Sequence, residues 1–427
     1  MAAEISASTS DVREDNASAS VIRNHEPGYL CIHKVLDPIR KSNGEAYTPQ
    51  VISIGPFNCK NPKLQTMESF KHRYLKSFTE RAPKMNLEDL KRAIKVEEES
   101  VRKFYSENIK LESDDFVNMI LLDASFIIQY FWKTKTKTVD QDKLKPAWLR
   151  NRVELDLILL ENQLPFFIIK KIYDIAFPGD NTSFIDLSFS QFQHYNSQGL
   201  RPGSEIVILH FTDLLRKFCL PSHERPSERN SKNMMKDMRS ATQLDRAGLK
   251  FKVRKPSNSK VSPLELKYDV HKRALEIPSF QFDKNTEIYA RNLIALEQFH
   301  YPEDEAYITE YYFLLSLLIR GRYDVSFLVR QGIFKWVDHG IDPPTVLNKI
   351  LETIDCSLKT NDYRKLAQKT NKFYKDHGTY LHTTMAKLKR DYFSTPWRGA
   401  ATIGGILLLL LTVIQTVCAL ISVKNWK

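Results

Sequence analysis

Helical spacing of apolar residues dominates this chain, with alternation confined to a few short stretches. The first, YTPQVISIGPF (Tyr47 to Phe57), reads as a short strand or extended arm, stopped by Gly55-Pro56. Met67 to Arg81 predicts a helix. Asn86 is placed to cap the next, with Asp89 at its third position and Leu87, Leu90, Ile94, Val101 and Phe104 at helical intervals. Ser113 caps a third, DDFVNMILLDASFIIQYFW, which is apolar on nearly all sides and therefore central to the core. Asp123 is its one acidic residue away from the ends. Asn151 to Phe177 predicts a fourth helix, and Ser204 opens a fifth that runs through Cys219. GLKFKVRK alternates Leu249, Phe251 and Val253 as a strand would, and ALEIPSFQFD (Ala274 to Asp283) has the same character, with Pro278 restricting it to an edge or bulge. Helices resume at Thr286 with NLIALEQFH, ITEYYFLLSLLIRG, DVSFLVRQG and TVLNKILETID. A long polar helix or helix pair follows from Asp362 to Tyr392.

The expected architecture is mostly α. It comprises a disordered lead over residues 1–28, one large helical domain with a small β element over 29–395, and a short tail at 424–427. Within the domain, 221–240 reads as a basic flexible loop and 360–395 as a basic helical stalk. Between them and the tail lies AATIGGILLLLLTVIQTVCALISV, Ala400 to Val423, uncharged throughout. Its length matches a transmembrane helix, so 400–423 is expected to span a membrane as a single-pass tail anchor. Lys387, Lys389, Arg390 and Arg398 precede it, against Lys424 and Lys427 after it. That excess favours a cytosolic body on the plasma membrane or an ER-derived membrane, with the basic side chains on the lipid surface. Ala400/Gly404 and Ala401/Gly405 have the small-xxx-small spacing that permits a weak homodimer through the span.

Composition sharpens this picture in two places. The 24 Phe and 18 Tyr of the 427 residues supply a sizeable core, and five cysteines lie far apart with no CxxC spacing, which suits a reducing compartment. The net charge of +12 is not spread evenly. From His223 to Lys260 eleven Lys/Arg face four Asp/Glu, and from Lys359 to Arg398 ten face three; each window carries +7, so the remainder is slightly acidic. The first window lacks aromatic residues from Pro221 to Leu249, so it reads as a solvated loop and nucleic-acid binding is not expected.

Candidate chemistry concentrates in DLILLENQLPFFIIKKIYDIAF, where Glu161, Asn162, Gln163 and Pro165 interrupt an apolar run. On a continuous helix Glu161 and Gln163 would stand about 200° apart, and Pro165 clashes with the carbonyl four residues back. A kink or break falls there and frees backbone groups that amide and carboxylate side chains are suited to satisfy. The bland reading is a polar plug in a helix joint, and the sharper one is a buried carboxylate serving as general acid or base. Arg291, Asn292, Glu297 and Gln298 in RNLIALEQ are candidates to join that cluster. No GxSxG, Walker A, HExxH, GxGxxG or EF-hand pattern occurs, and the eleven His form no metal-binding spacing, so neither metal nor cofactor is expected.

LLENQLPFF resembles a motif of the plant DUF247 family, also called UPF0481. YTPQVISIGPF, LQTMESFKHRYL, DDFVNMILLDASFII, ATQLDRAGLKFK, LEIPSFQFD, RNLIALEQ and LLTVIQT are similar to its further motifs, in the family's order, over roughly Ile32 to Val423. Two departures stand out. Phe57-Asn58-Cys59 replaces a frequent histidine, so the resemblance supplies no metal ligand there, and Gln243 stands where acidic residues are common. The resemblance implies a plant membrane protein with one C-terminal span and no assigned catalytic residues. Some grass members are associated with pollen–stigma self-incompatibility, which implies recognition. The expected function is therefore a non-enzymatic, membrane-anchored interaction, recognition or signalling component with a protein partner. The alternative is a membrane-associated enzyme with a polar pocket around Glu161, in which Glu161, Asp123 and Glu297 are the candidate catalytic groups.

Overall fold

In the computed structural model, residues 30–138, 144, 146–203, 206–220, 235–254, 262–337, 340–358, 361–378 and 396–424 are described. The expected lead at 1–28 and most of the expected loop at 221–240 lie outside them. Contacts divide the chain into two units, residues up to Cys219 with Glu287–Ala306, and Leu220–Thr286 with Tyr307–Lys427.

The first unit contains a single helical turn α1 (Asp37–Arg40), then α2 (Gln65–Arg81), α3 (Leu87–Lys103), α4 (Ser113–Lys135), α5 (Ala147–Leu157), α6 (Phe166–Ala176), α7 (Phe184–Gln191) and α8 (Phe211–Cys219). After α9 (Ala241–Arg246) of the second unit, α10 (Thr286–His300) returns to the first from Glu287 onward. The stretch read as apolar on nearly all sides is α4, and α2, α3, α6 and α7 pack around it. Its Phe116, Ile120, Phe126, Ile127, Ile128 and Phe131 are fully or almost fully buried, each worth roughly 1.5–3 kcal/mol in transfer terms. Phe131 also anchors an aromatic cluster, 5.3 Å from the Phe211 ring, while Phe166 lies 5.1 Å from Phe184.

Caps explain where the helices start. The Asn86 side chain accepts the Glu88 N–H at 3.0 Å, as its position predicts. Ser113 does not cap α4. It is the first helical residue, and its hydroxyl donates to Glu98 of α3 instead. The segment 151–177 breaks as Pro165 requires, with α5 ending at Leu157 and α6 starting at Phe166. The fifth helix is shorter than expected. It begins at Phe211, because Leu209 is extended and its carbonyl accepts the otherwise unpaired N–H of Phe166 at 2.8 Å.

The second unit holds the small β element. Strands β1 (Lys250–Val253), β2 (Lys267–Asp269) and β3 (Ala274–Ile277) form a sheet in the order β1-β3-β2, with β1 parallel and β2 antiparallel to β3. Pro278 divides ALEIPSFQFD, so its second half becomes β4 (Phe280–Phe282), parallel to β5 (Phe334–Trp336) in a separate two-stranded sheet. Helices α11 (Tyr307–Leu318), α12 (Arg322–Arg330), α13 (Pro343–Leu351) and α14 (Asn361–Phe373) complete it. Gln243 has a local use in α9: its Oε1 accepts the Ser240 N–H at 3.1 Å in a capping box, while Asp324 Oδ1 accepts Thr242 N–H at 2.9 Å.

The membrane-spanning part of the expected architecture is corrected. Helix α15 (Pro396–Lys424) includes the apolar stretch, but among the described residues no helix is long and apolar enough to cross a membrane. Thr412 and Thr416 within that run turn their hydroxyls back onto the carbonyls of Leu408 and Thr412 at 2.8 and 2.7 Å. The expected surface-lipid residues Lys387, Lys389 and Arg390 lie outside the described residues. Arg398 falls in the first turn of α15.

Candidate functional site: a buried polar joint

The turn at 158–165 is where α5 stops, and its polar side chains all reach back to backbone. Glu161, Asn162 and Gln163 are buried, at 4%, 0% and 1% exposure. Gln163 Nε2 donates to the carbonyls of Leu157 and Leu159 at 2.6 and 2.8 Å, while its Oε1 accepts the Phe211 N–H at 2.9 Å. Asn162 Nδ2 donates to Asp156 O at 2.9 Å and to Ile52 O at 3.0 Å, and its Oδ1 accepts the Ile54 N–H at 2.7 Å. Glu161 Oε1 accepts the Val35 N–H at 2.7 Å and the Arg40 guanidinium at 2.6 Å. These bonds satisfy the orphaned groups of a broken helix, as buried polar atoms require.

The partner of the joint is the arm at 48–55, which leaves a 3-10 turn at Gly44–Tyr47 and belongs to no sheet. Side chains replace a neighbouring strand for it. Asp156 accepts Gln50, Val51 and Ile52 N–H groups at 3.1, 2.7 and 2.9 Å. Ile54 goes to Asn162, and Gly55 N–H donates to Asp123 Oδ2 at 2.8 Å. Gly55 sits at φ +73°, where a Cβ would come within 2.4 Å of the Gln163 carbonyl oxygen, so only glycine fits. Asn292, expected to join the joint, does so: its Oδ1 accepts Leu160 N–H at 2.9 Å and its Nδ2 donates to Ala46 O at 2.8 Å. Glu297 is paired with Arg216 at 3.2 Å. Arg291 pairs with Glu287 and Ser42, both at 2.8 Å.

Among the described residues, Asp123 leads to an arrangement with catalytic appearance. Lys71 Nζ lies 2.7 Å from Asp123 Oδ1 and 2.7 Å from Glu68 Oε1, and donates to Ser53 Oγ at 3.1 Å. A Ser–Lys pair acts as nucleophile and base only if the amine is neutral. Burial pulls the Lys71 pKa down, but the two carboxylates outweigh it and hold the group above its ordinary value. Lys71 is therefore an ammonium, and Ser53, at 1% exposure, is closed to substrate. Burial raises Asp123 and Asp156 to about 6 each, against Lys71 in the first case and the arm N–H groups in the second. It also raises Glu161, opposed by Arg40. Among the described residues no group of His, Cys, Asp and Glu could hold a metal ion.

A family model for DUF247, described as a plant protein of unknown function, matches residues 32–411. The chain belongs to the DUF247 family. It is 26% identical to the Arabidopsis thaliana UPF0481 protein At3g47200 over 93% of this chain and 87% of that one. The putative UPF0481 protein At3g02645 of the same plant is 26% identical over 33% of this chain and 26% of its own. No solved structure matches.

Within this DUF247 chain, sequence reasoning found the joint but missed Asp156, Lys71 and Arg40, which do as much of the holding. Asp156 opens the stretch DLILLENQLPFF, and an acid heading an apolar run is a usable signal. For Lys71, one basic residue among many on a mixed helix, no signal existed. Over the joint opens a cavity of about 640 Å³, lined by Arg40, Glu45, Thr48, Gln50, Asn61 and Lys63 among others. Arg40 is its link to Glu161.

Proposed function

We propose that this DUF247 protein is a non-enzymatic interaction or recognition component. One observation supports the reading: the acidic and amide groups that could perform chemistry in the joint are already committed to the chain's own backbone and to internal cations. Glu161 Oε1 carries both Val35 N–H and Arg40, and Asp123 carries Lys71 and Gly55 N–H. A site so saturated holds an arm in place, and ligand contact falls to the exposed rim residues Gln50, Glu45 and Lys63.

The runner-up is an enzyme with a polar pocket at Glu161, favoured by the cavity that adjoins Arg40. Two variants of the full chain expressed in plant cells separate them. Partner capture, repeated with purified components, is expected to weaken in K63E/Q50A and to persist in E161Q. Loss of a measurable turnover in E161Q, with rim variants still active, would favour the enzyme instead.

A further inference from the structure

On the other side of Glu161 lies the segment Leu30–Val35, which belongs to no helix and is held by hydrogen bonds to Phe104, Ser106 and Glu161. Cys31 and Ile32 N–H groups donate to Phe104 O at 3.1 and 2.9 Å, and Ser106 N–H donates to Ile32 O at 3.0 Å. Lys34 N–H donates to Ser106 Oγ at 2.9 Å, and Val35 N–H ends on Glu161. Between the Ile32 and Lys34 anchors His33 turns inward. It stacks on Phe299 at 5.5 Å between ring centroids and faces His300 at 6.3 Å. The His300 Nδ1 lies 3.2 Å from Leu30 O. His210, fully buried, interacts electrostatically with both other rings and with Cys31 of the segment.

The charge around these rings is unbalanced against protonation. His210 Nδ1 accepts the Asp213 N–H at 3.3 Å, and the His33 Nε2 is buried without a hydrogen-bond partner. The Leu30 backbone beside His33, and the Cys31 backbone and Asp213 charge beside His210, favour protonation, but desolvation and repulsion between the rings outweigh them. From α8, Asp213 is the acidic group that faces them. Its carboxylate is already occupied by Leu209 N–H at 2.9 Å, Tyr301 hydroxyl at 2.5 Å and Lys217 at 3.3 Å. From the same helix Arg216 is matched by Glu297 of α10. From the segment itself Lys34 pairs with Glu107 at 3.3 Å, and Cys31 is a buried neutral thiol. New positive charge on the imidazoles meets repulsion between rings and no free carboxylate in the groups just named.

We propose that His33 and His210, with His300 beside them, form an acid-operated latch on the Leu30–Val35 segment, closed while His33 and His210 are neutral and opened when they take up protons. The element that yields is the segment, since its anchors are single hydrogen bonds whereas α8 and α10 are packed helices. Desolvation and mutual repulsion lower both His33 and His210 to about 4. The closed state therefore binds fewer protons than the open one, and its advantage shrinks as pH falls from about 6.5 toward 4. This inference does not depend on the proposed interaction role.

Cys31, 0% exposed, reports the opening. Purified full-length protein is treated with a pyridyl disulfide, which labels thiols in acid as well as at neutrality, and labelling is mapped by peptide mass from pH 7 to 4. Labelling of Cys31 is expected to rise at least ten-fold between pH 6 and 4 while helical circular dichroism stays constant. H33F, which keeps a ring against Phe299, is expected to abolish most of that rise. Closure of Cys31 down to pH 4, opening only in step with helix loss, or an unchanged rise in H33F would each overturn the latch. If H33F does not fold, hydrogen exchange at the Ile32 and Val35 amides of the wild type and H33Q replaces the labelling, with the same outcomes deciding.

Discussion

Asp156 Oδ2 accepts the backbone N–H of Val51 at 2.7 Å, a bond that spans 105 positions of the chain. It is one of three N–H groups on that carboxylate, and together they set the path of an arm that has no sheet neighbour.

Removing this acceptor is expected to be costly. D156A leaves three arm N–H groups without a partner and should lower stability by about 3–5 kcal/mol. D156N keeps one carbonyl oxygen and should cost less, about 1–3 kcal/mol. Urea denaturation of both variants beside wild type measures the difference. Equal stability of D156A and wild type would mean the arm is held by something else.

Two glycines make a matched test of the close approach at the joint. Gly55 (φ +73°) would place a Cβ 2.4 Å from Gln163 O, whereas Gly179 (φ +78°) has nothing within 4 Å. Both pay the left-handed backbone term of about 1 kcal/mol on change to alanine. Only G55A also meets a backbone wall, so its loss should reach about 2–4 kcal/mol. Midpoints from thermal or chemical melts should separate the two variants clearly.

The Lys71–Asp123 pair lends itself to a double-mutant cycle. K71M strands a carboxylate at 1% exposure and should cost about 3–5 kcal/mol. D123N, which still accepts Gly55 N–H, should recover part of that loss when added to K71M. A coupling energy above about 1.5 kcal/mol is expected, and additive losses would show that the ion pair contributes nothing of its own.

Stability should vary little with pH between about 4 and 6 because two sets of groups oppose each other. Asp123 and Asp156, raised to about 6, make the folded state bind more protons than the unfolded one, so their contribution falls as pH rises from 4 to 6. His33 and His210, lowered to about 4, do the reverse: their contribution is lost as pH falls from about 6.5. Asp213, held at about 2 although burial opposes it, with Lys217 foremost among the groups that lower it, adds stability that is lost only below about pH 4. In H33F/H210Q the carboxylate slope should stand alone, with stability declining toward pH 6. In D123N/D156N the histidine slope should remain, with stability rising. Denaturant midpoints across that range supply the measurement, and parallel profiles in both variants would contradict the assignment.

Much of this was readable in the chain. Apolar spacing located α3, α4, α10 and α11 because burial of one face or of all faces leaves a periodic trace. The break at Pro165 followed from a missing N–H and a steric clash, both local properties. Asn162 and Gln163 announced themselves as polar groups in an apolar run, and the mostly helical class with its small sheet followed from the same patterns.

Other matters were decided only in three dimensions. Nothing local says that Asp156 grips residues 50–52, that Lys71 neutralises Asp123, or that Glu297 pairs with Arg216. Those choices depend on which helices meet, and pairing across a hundred residues leaves no periodicity. The apolar tail shows the converse: hydropathy alone suggests a span, yet among the described residues no helix is long and apolar enough to cross a membrane. Side-chain identity along a chain determines which groups must be buried or satisfied, but the partner that satisfies each one is settled by packing.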